Sequence, residues 1–403
     1  MKQNANNKDA MKQENRRNVL SIVSQQPISR ADIAKKTLLS QATITGIVDE
    51  LLSEGILLEI GKDNSQPSIG RKPIILGINP TWGYIVGIAI EREFICIGIL
   101  TIDGKVIGKT AQIGYAPTAE TTLDVVANEA NRLMGANGVN PKMVIGVGAI
   151  APGPLDITNG RTLEIAGLNK SWHYLNLRDE LEKRLTYKTF VQHNSVALML
   201  SESRIRENIP HDNMALYFLS SGLGFSLMIN RQIYAGTKNQ GCEIGHSSVD
   251  INGRLCDCGN RGCLELYASI TAIMKDVSYT RKDIVSWEHL VDLAYENDRF
   301  CIETVRYMSQ YLTQSILDIN NILNLDAIII TGMGMYRGDM LLGFIKDEFQ
   351  RKTVYDKNSN LIIKGSETKK DFELAAAGAV VINQLFNGTL YTDIYESRTM
   401  TIG

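Results

Sequence analysis

Three of the six cysteines in this chain, Cys256, Cys258 and Cys263, fall within eight residues, and His246 lies ten residues before the first of them. Thiolate and imidazole groups are ligands that zinc prefers, and four of them complete a tetrahedral structural site. A disulfide is less favoured, because three clustered cysteines leave one unpaired. A loop that holds three buried thiols without a metal is the remaining alternative. The spacing therefore favours a structural zinc site that fixes the surrounding loop.

Two carboxylates stand close to these ligands in the sequence. Glu243 lies three residues before His246, and Glu265 lies two residues after Cys263. A metal that fixes the loop also fixes these side chains, and carboxylates accept hydrogen bonds from hydroxyl groups. The stretch therefore predicts a site for a polyol beside the metal.

The motif Cys-x-Cys-Gly-x-x-Gly-Cys-x-Glu at residues 256–265, with Glu-x-Gly-His at residues 243–246, resembles the ROK family of sugar kinases and sugar-responsive repressors. This resemblance extends from about residue 16 to about residue 388. It implies sugar contacts for Glu243, His246 and Glu265, with the zinc loop at residues 243–265.

Length and composition favour a multidomain intracellular protein. A chain of 403 residues can bury a large core and is expected to form two or three domains. A net charge of −2 and 44% hydrophobic residues argue against a disordered chain and against a polyanion-coating protein. The first eighteen residues are polar, and apolar runs such as Tyr84–Ile90 are far shorter than the roughly 18 residues of a membrane span. We therefore expect a cytoplasmic protein without a membrane partner.

Residues 16–59 show helical periodicity in three short segments. The second segment begins at Ser29, a favourable N-cap, with Asp32 three residues later as in a capping box. The third begins at Ser40 and has one apolar face, formed by Ile44, Ile47, Val48, Leu51 and Leu52. Its other face has small or hydrogen-bonding residues, namely Gln41, Ala42, Thr43, Thr45 and Gly46. This arrangement is typical of a helix-turn-helix.

Two predicted strands, residues 56–60 and 73–78, follow these helices and resemble a wing. Residues 1–78 carry 11 Lys and Arg against 8 Asp and Glu, a net charge of +3, whereas the rest of the chain carries 31 against 36, a net charge of −5. This excess of positive charge favours DNA binding by the N-terminal residues. The alternative is a three-helix bundle for dimerisation or partner binding, but a dimer seam would favour Leu or Ile over the polar face of the third helix. The predicted DNA contacts are Arg30, Gln41, Thr43, Thr45, Arg71 and Lys72.

Residues 29–34 and 70–73 resemble the winged-helix domain of ROK repressors, a domain that ROK kinases lack. We therefore divide the chain into a winged helix-turn-helix DNA-binding domain at residues 1–78 and a ROK sugar-binding domain at residues 79–403. From Gly83 the pattern is α/β, and a strand-rich unit occurs twice, which predicts two lobes with a cleft between them. The resemblance implies an actin-like (ribonuclease-H-like) fold with the sugar in that cleft.

Three further positions match family motifs near the expected sugar. Gly153 lies in Pro-Gly-Pro-Leu-Asp, which resembles the family loop whose glycine backbone passes close to the sugar. Asn169 matches the family's Asn-x-x-Trp, and Asn194 matches the asparagine of its Asn-Asp pair. Without the resemblance, each asparagine would be interpreted as a turn residue. The resemblance favours sugar contact for all three.

Two departures from the kinase pattern predict that the chain is not an enzyme. Phosphoryl transfer needs a base at the sugar hydroxyl and donors for the nucleotide phosphates. In ROK kinases the base is the Asp directly after the asparagine above, and here that position is Ser195, which cannot act as a base near neutral pH. Residues 89–93, Ala-Ile-Glu-Arg-Glu, replace the kinases' Asp-x-Gly-Gly-Thr, so both glycines are lost. The change at Ser195 also alters the pocket, so the effector can differ from glucose-like sugars.

These observations predict a sugar-responsive repressor that binds operator DNA as a homodimer, with a tetramer as the alternative assembly. A sugar or sugar derivative is expected to close the lobes and change the spacing of the two winged helices. There are two competing hypotheses. One is a sugar kinase with an added DNA-binding domain, and the other is a regulator controlled by a partner protein. We also expect residues 1–15 to be frayed, residues 389–403 to form a loose tail, and Cys96, Cys242 and Cys301 to be buried.

Overall fold

The chain folds into two compact units. The first comprises Met1–Gln192, Arg204–Ile209 and Glu373–Gly403, and the second comprises His193–Ser203 and Pro210–Phe372. The region predicted as a separate N-terminal domain therefore belongs to the same compact unit as the first α/β lobe. The computed structural model describes residues 2–62, 72–165, 168–205, 211–237, 241–353, 361–368 and 370–394. Within these ranges, side chains are described from residue 10 onward.

Where the N-terminal region is described, it contains three α-helices and a small sheet. The helices are α1 (Lys2–Gln25), α2 (Arg30–Thr37) and α3 (Gln41–Ser53). The antiparallel sheet, ordered β1-β3-β2, consists of β1 (Ile28–Ser29), β2 (Leu57–Lys62) and β3 (Ile74–Ile78). The expectation of a frayed N-terminus is wrong for the described residues, because α1 continues through them to Lys2. Strand β1 was not predicted, since two residues are too few to show periodicity.

The predicted starts of α2 and α3 are confirmed by their caps. Ser29 Oγ accepts a hydrogen bond from the Asp32 N–H at 3.2 Å, and Ser40 Oγ accepts one from the Thr43 N–H at 3.1 Å. Each bond satisfies a donor that the helix itself leaves without a partner. The apolar face of α3 is buried as predicted except for the half-buried Leu52, and its buried residues are Ile44, Ile47, Val48 and Leu51.

The N-terminal helices share one hydrophobic core with the C-terminal end of the chain. Val19 of α1 and Trp82 lie in the same cluster of buried residues as Phe386 and Tyr391. Tyr391 is fully buried, and residues 390–394 are helical. The expectation of a loose tail is therefore wrong for the described residues 389–394, because this aromatic side chain packs into the core.

The first lobe contains a five-stranded sheet in the order β10-β7-β4-β5-β6. Its strands are β4 (Tyr84–Ile90), β5 (Ile95–Thr101), β6 (Val106–Lys109), β7 (Val144–Ala151) and β10 (Thr189–His193). A short hairpin follows β7 and consists of β8 (Leu155–Asp156) and β9 (Arg161–Thr162). Buried residues of these central strands share a cluster with helices α4 (Ala119–Ala136) and α5 (Leu177–Leu185).

The second unit repeats this strand arrangement in a sheet ordered β13-β12-β11-β14-β15. Its strands are β11 (Met214–Leu219), β12 (Leu223–Ile229), β13 (Gln232–Tyr234), β14 (Ala327–Thr331) and β15 (Ile362–Gly365). In each sheet the first strand, β4 or β11, pairs antiparallel with the next strand and parallel with a later one, β7 or β14. The predicted duplication of an α/β unit is confirmed.

Among the described residues, six α-helices lie in the second unit, and α12 (Phe372–Phe386) lies mainly in the first. The six are α6 (Asn194–Glu202), α7 (Glu265–Ala268), α8 (Ile270–Thr280), α9 (Trp287–Tyr295), α10 (Arg299–Leu323) and α11 (Asp339–Lys352). Within the described part of the chain, no helix has the length and apolar character needed to cross a membrane. Of the three cysteines expected to be buried, Cys301 is buried, whereas Cys96 and Cys242 are only half-buried.

Candidate metal centre and effector site

The four predicted metal ligands lie together in the second unit. One donor atom from each of His246, Cys256, Cys258 and Cys263 lies within 4.8 Å of the other three. Nδ1 of His246 is 3.7 Å from the Cys256 sulfur, and the sulfurs of Cys258 and Cys263 are 3.6 Å apart. Around a tetrahedral ion with Zn–S bonds of about 2.3 Å, neighbouring ligand atoms are about 3.8 Å apart. The donor set and its spacing therefore fit a tetrahedral metal ion.

Tight backbone turns bring these ligands together. The Cys256 N–H donates to the Asn260 carbonyl at 2.8 Å, and the Gly259 N–H donates to the Cys256 carbonyl at 2.9 Å. Gly262 has a φ of +68°, and a Cβ atom there would lie 1.7 Å from the Asp250 carbonyl oxygen. Only glycine fits that position, because any side chain would push the two backbone segments apart.

A cation and two aromatic rings hold residues 243–265, the metal loop, against the helices that follow it. The Tyr267 hydroxyl accepts a hydrogen bond from the Arg254 N–H at 3.0 Å, and the Arg254 guanidinium lies 5.0 Å from the Tyr267 ring centroid. The same guanidinium pairs with Asp276 at 2.7 Å, and Tyr267 stacks on Tyr311 at 4.5 Å. These supporting residues were not predicted. Their partners come from α7, α8 and α10, so only the folded chain brings them together.

Glu243 and Glu265 both lie beside the metal loop, as predicted. Glu243 precedes a 3-10 helix at Ile244–His246, and Glu265 begins α7. The Glu265 carboxylate accepts a hydrogen bond from the Leu223 N–H at 3.1 Å, which fixes it at the start of β12. Glu243 is exposed as a residue, but neighbouring atoms desolvate its carboxyl group and raise the pKa of that group. The nearby His246 lowers this pKa, and the negative charge of Glu265 raises it further. Two carboxylates and an imidazole therefore share one region of the second unit.

Asn194 and Ser195 form the start of α6 and are both buried. The Asn194 side-chain oxygen accepts a hydrogen bond from the Ser195 N–H at 2.8 Å. A Cβ atom on Gly224 would lie 3.3 Å from the Ser195 Cβ, so the start of α6 packs against the start of β12. Glu265 is bound at that same end of β12. The fold thus brings the predicted sugar residues Asn194 and Glu265 to one strand end.

His193, the residue before α6, is half-buried, and desolvation lowers its pKa to about 4. The imidazole is therefore neutral near pH 7. It lies two residues before Ser195, the position of the carboxylate base in the kinase pattern.

Gly153 and Asn169 belong to the first unit. Gly153 lies in the loop between β7 and β8. The Asn169 side chain accepts hydrogen bonds from the N–H, at 3.0 Å, and the hydroxyl of Ser171, and donates to the Pro117 carbonyl at 3.2 Å. This side chain therefore caps the 3-10 helix Lys170–Trp172, and its sugar contact stays a prediction.

The polar face of α3 is exposed, as predicted. Gln41, Thr43 and Thr45 all lie on the surface of the first unit. Arg30 is engaged in ion pairs, with Asp49 at 3.0 Å and Glu59 at 3.5 Å. Of the two predicted basic residues of the wing, Lys72 is exposed, and Arg71 falls outside the described residues.

The family model described as "ROK family" matches residues 85–384. The chain belongs to the ROK family. It is 28% identical over 367 residues to the xylose repressor of Bacillus spizizenii, which covers 91% of this chain and 94% of that protein. It is also 25% identical over 402 residues to the DNA-binding transcriptional dual regulator NagC of Escherichia coli K12, with coverage of 97% and 98%.

A solved structure of a ROK family transcriptional regulator, a homologue of the E. coli MLC protein, matches with a TM-score of 0.80 at 24% identity. The match covers 96% of this chain and 99% of that one. At this identity the likeness is one of fold. The two five-stranded sheets are thus the actin-like sheets of a ROK domain.

The hairpin between β4 and β5 contains residues 89–93, where the sequence departs from the kinase pattern. The Glu91 N–H donates to the Phe94 carbonyl at 2.9 Å and closes the turn, and the Tyr115 hydroxyl donates to the Glu91 carbonyl. Both backbone groups of Glu91 are therefore occupied, and its side chain is buried. A nucleotide phosphate would have to displace these bonds and approach a carboxylate.

Proposed function

We propose that this ROK protein is a sugar-responsive transcriptional repressor of carbohydrate metabolism genes. In this proposal the N-terminal region is a winged helix-turn-helix that binds operator DNA as a homodimer, and the second unit contacts the sugar. The exposed polar face of α3 carries the proposal, because it is attached to a ROK domain that departs twice from the kinase pattern. Similarity to two regulators over 91% and 97% of the chain supports it.

The DNA-binding part of the proposal assigns α3 as the recognition helix. A recognition helix reads base edges in the major groove through its N-terminal residues, and here these include Gln41, Thr43 and Thr45. A glutamine side chain can bind adenine through two hydrogen bonds. Strands β2 and β3 then form the wing, with Lys72 and Arg71 as phosphate contacts. Arg30 contributes only where it exchanges its two carboxylate partners for phosphate.

The effector part of the proposal assigns Glu243, Glu265 and Asn194 as acceptors for sugar hydroxyls. The tetrahedral site would be held by zinc, which supplies a structural cross-link between His246 and the cysteines. That cross-link stabilises the turn in which Glu265 follows Cys263 by two residues. Gly153 and Asn169 are proposed as further sugar contacts. Xylose is named by the repressor of Bacillus spizizenii, and N-acetylglucosamine is named by a repressor of Escherichia coli O157:H7 that is 25% identical to this chain, so these two sugars are the first to test.

Absence of kinase activity is also part of the proposal. Ser195 stands where the kinase pattern has a carboxylate base, so the group that would accept the proton of the sugar hydroxyl is lost. The closed hairpin at Glu91 leaves its backbone N–H bound to Phe94 rather than directed at a phosphate. Two separate parts of the phosphoryl-transfer machinery are therefore changed.

The proposal is tested by a thermal-shift screen of the zinc-loaded protein against pentoses, hexoses, amino sugars and their phosphates. A sugar at about 100 times its Kd is expected to stabilise the folded state by about 2.7 kcal/mol and to raise the melting temperature. The same sugar should change affinity for operator duplexes selected from random DNA, and should cause no ADP formation from ATP. Sugar-dependent ADP formation would contradict the repressor assignment, and no stabilisation by any sugar would favour control by a partner protein.

Replacing Gln41 with alanine is expected to weaken operator binding by roughly 5- to 150-fold, because loss of a bidentate base contact costs about 1–3 kcal/mol. Melting temperature should stay close to that of the wild type, since the side chain is exposed. Gln232→Ala is the matched control, because it removes an exposed glutamine from β13 in the second unit. Fluorescence anisotropy with selected duplexes measures both. Equal affinity of the two variants would contradict the role of α3 as the recognition helix.

A further inference from the structure

Helix α6 begins at a candidate effector residue and ends just before the point where the chain passes from the second unit to the first. It begins at Asn194 and ends at Glu202, and the Ser203 N–H continues its hydrogen-bond pattern by donating to the Met199 carbonyl at 2.9 Å. Nine helical residues form a rod about 13–14 Å long. The chain passes from the second unit to the first between Ser203 and Arg204. Arg204 therefore lies two residues after the end of α6, and the candidate effector residue Asn194 lies at its start.

Arg204 binds the last turn of α1. Its Nη2 donates to the Ser24 carbonyl at 3.2 Å, and its guanidinium lies 5.8 Å from the Phe386 ring centroid. The last carbonyls of a helix have no partner within the helix and attract cations. The last turn of α1 contains no basic residue of its own. Arg204 thus supplies the cation that this helix end lacks.

Helix α1 in turn contacts the proposed recognition helix. Arg16 forms hydrogen-bonded ion pairs with Glu50 of α3 and with Glu54 at the end of that helix. Arg16 and Ser24 lie on the same helix, two turns apart. The order of contacts is therefore α6, Arg204, α1, Arg16 and α3.

We propose that Arg204 is the positioning residue that transmits an effector-induced movement of α6 to the DNA-binding helices. This inference rests on the proposed function, because it needs a sugar that acts on the start of α6. A cap without a signalling role would stabilise α1 equally in the presence and absence of sugar. A transmitting residue instead makes the state of α1 depend on the sugar. The two roles therefore differ in their response to ligand.

Amide hydrogen exchange of the full-length, zinc-loaded protein separates these roles. D-xylose and N-acetylglucosamine are the probes, each compared with protein alone. In the wild type, sugar should change exchange both in residues 194–203 and in residues 17–25. In Arg204→Met the change in residues 194–203 should remain and the change in residues 17–25 should be lost. Arg204→Lys keeps a cation at this position and should restore the response of α1.

Ser21→Ala is the matched control. It removes a different contact of α1, the 2.7 Å hydrogen bond from the Ser21 hydroxyl to Asn387, which does not involve α6. This variant should keep the response of residues 17–25. A wild-type response confined to residues 194–203, or an undiminished α1 response in Arg204→Met, would overturn the inference while leaving sugar binding intact. No response in residues 194–203 with either sugar would count against the proposed function, and the inference would fall with it.

Discussion

Replacing Cys258 with serine is expected to release the metal and to lower the melting temperature by about 8–16 °C at saturating zinc. A metal present at about 1,000 times its Kd stabilises the folded state by about 4 kcal/mol. For a unit of 150–250 residues, each kcal/mol corresponds to roughly 2–4 °C. Because Cys258 is exposed, loss of its own packing contributes little to this effect. Metal content by mass spectrometry and scanning calorimetry measure the two outcomes.

The sugar response should be lost together with the metal. Glu265 is fixed by the Leu223 N–H on one side and by the turn after Cys263 on the other. A loop without its cross-link no longer holds that carboxylate in place, so sugar should not raise the melting temperature of Cys258→Ser. The same loss is expected when a chelator removes the metal from the wild type.

Cys242→Ser is the matched control for this prediction. Its thiol lies in the same region but outside the four-ligand cluster, and donates to the Tyr234 carbonyl at 3.3 Å. A serine hydroxyl can make the same bond, so this variant should keep its metal and its melting temperature. Full metal content in Cys258→Ser would rule out the tetrahedral site. Equal metal loss in both variants would show that the effect is not specific to a ligand.

Features that depend on neighbours in sequence could be predicted from the sequence. The caps at Ser29 and Ser40 and the turns of the metal loop join residues a few positions apart. The three cysteines and His246 span only eighteen residues, so the spacing of donor atoms already indicated one shared ion. Hydrophobic periodicity likewise located the buried face of α3 and the core strands.

Features that depend on distant residues could not be predicted. The Arg16 guanidinium meets the Tyr391 hydroxyl across 375 positions, and Tyr267 meets Tyr311 only after α7 and α10 have packed. Residues 389–394 were expected to be loose because the apolar spacing of Leu390, Tyr391 and Ile394 covers only one helical turn, too short a stretch to predict the core that buries Tyr391. The carboxylates that engage Arg30 also come from other elements, α3 and β2.

Replacing Arg16 with methionine is expected to lower the free energy of unfolding by about 3 kcal/mol. Arg16 is 1% exposed, and it pairs with Glu50, Glu54 and the Tyr391 hydroxyl, which itself donates to Glu54. Burial alone would lower the pKa of Arg16, but its bonds to Glu54 and Tyr391 outweigh this and raise it. Methionine has a similar length but leaves two carboxylates without their shared cation. Glu50 and Glu54 are 40% and 22% exposed, so water limits the loss to the low end of the usual range for buried pairs.

The matched control is Lys12→Met, which removes the other cation that pairs with Glu50, at 2.8 Å. Lys12 is 52% exposed, and exposed pairs contribute only about 0–1 kcal/mol. Urea denaturation of both full-length variants should therefore separate them by about 2 kcal/mol or more. Because Glu50 and Glu54 lie at the C-terminal end of the proposed recognition helix, Arg16→Met should also weaken operator binding while Lys12→Met retains it. Equal stability of the two variants would show that the buried cation does not hold α1, α3 and the helical residues 390–394 together.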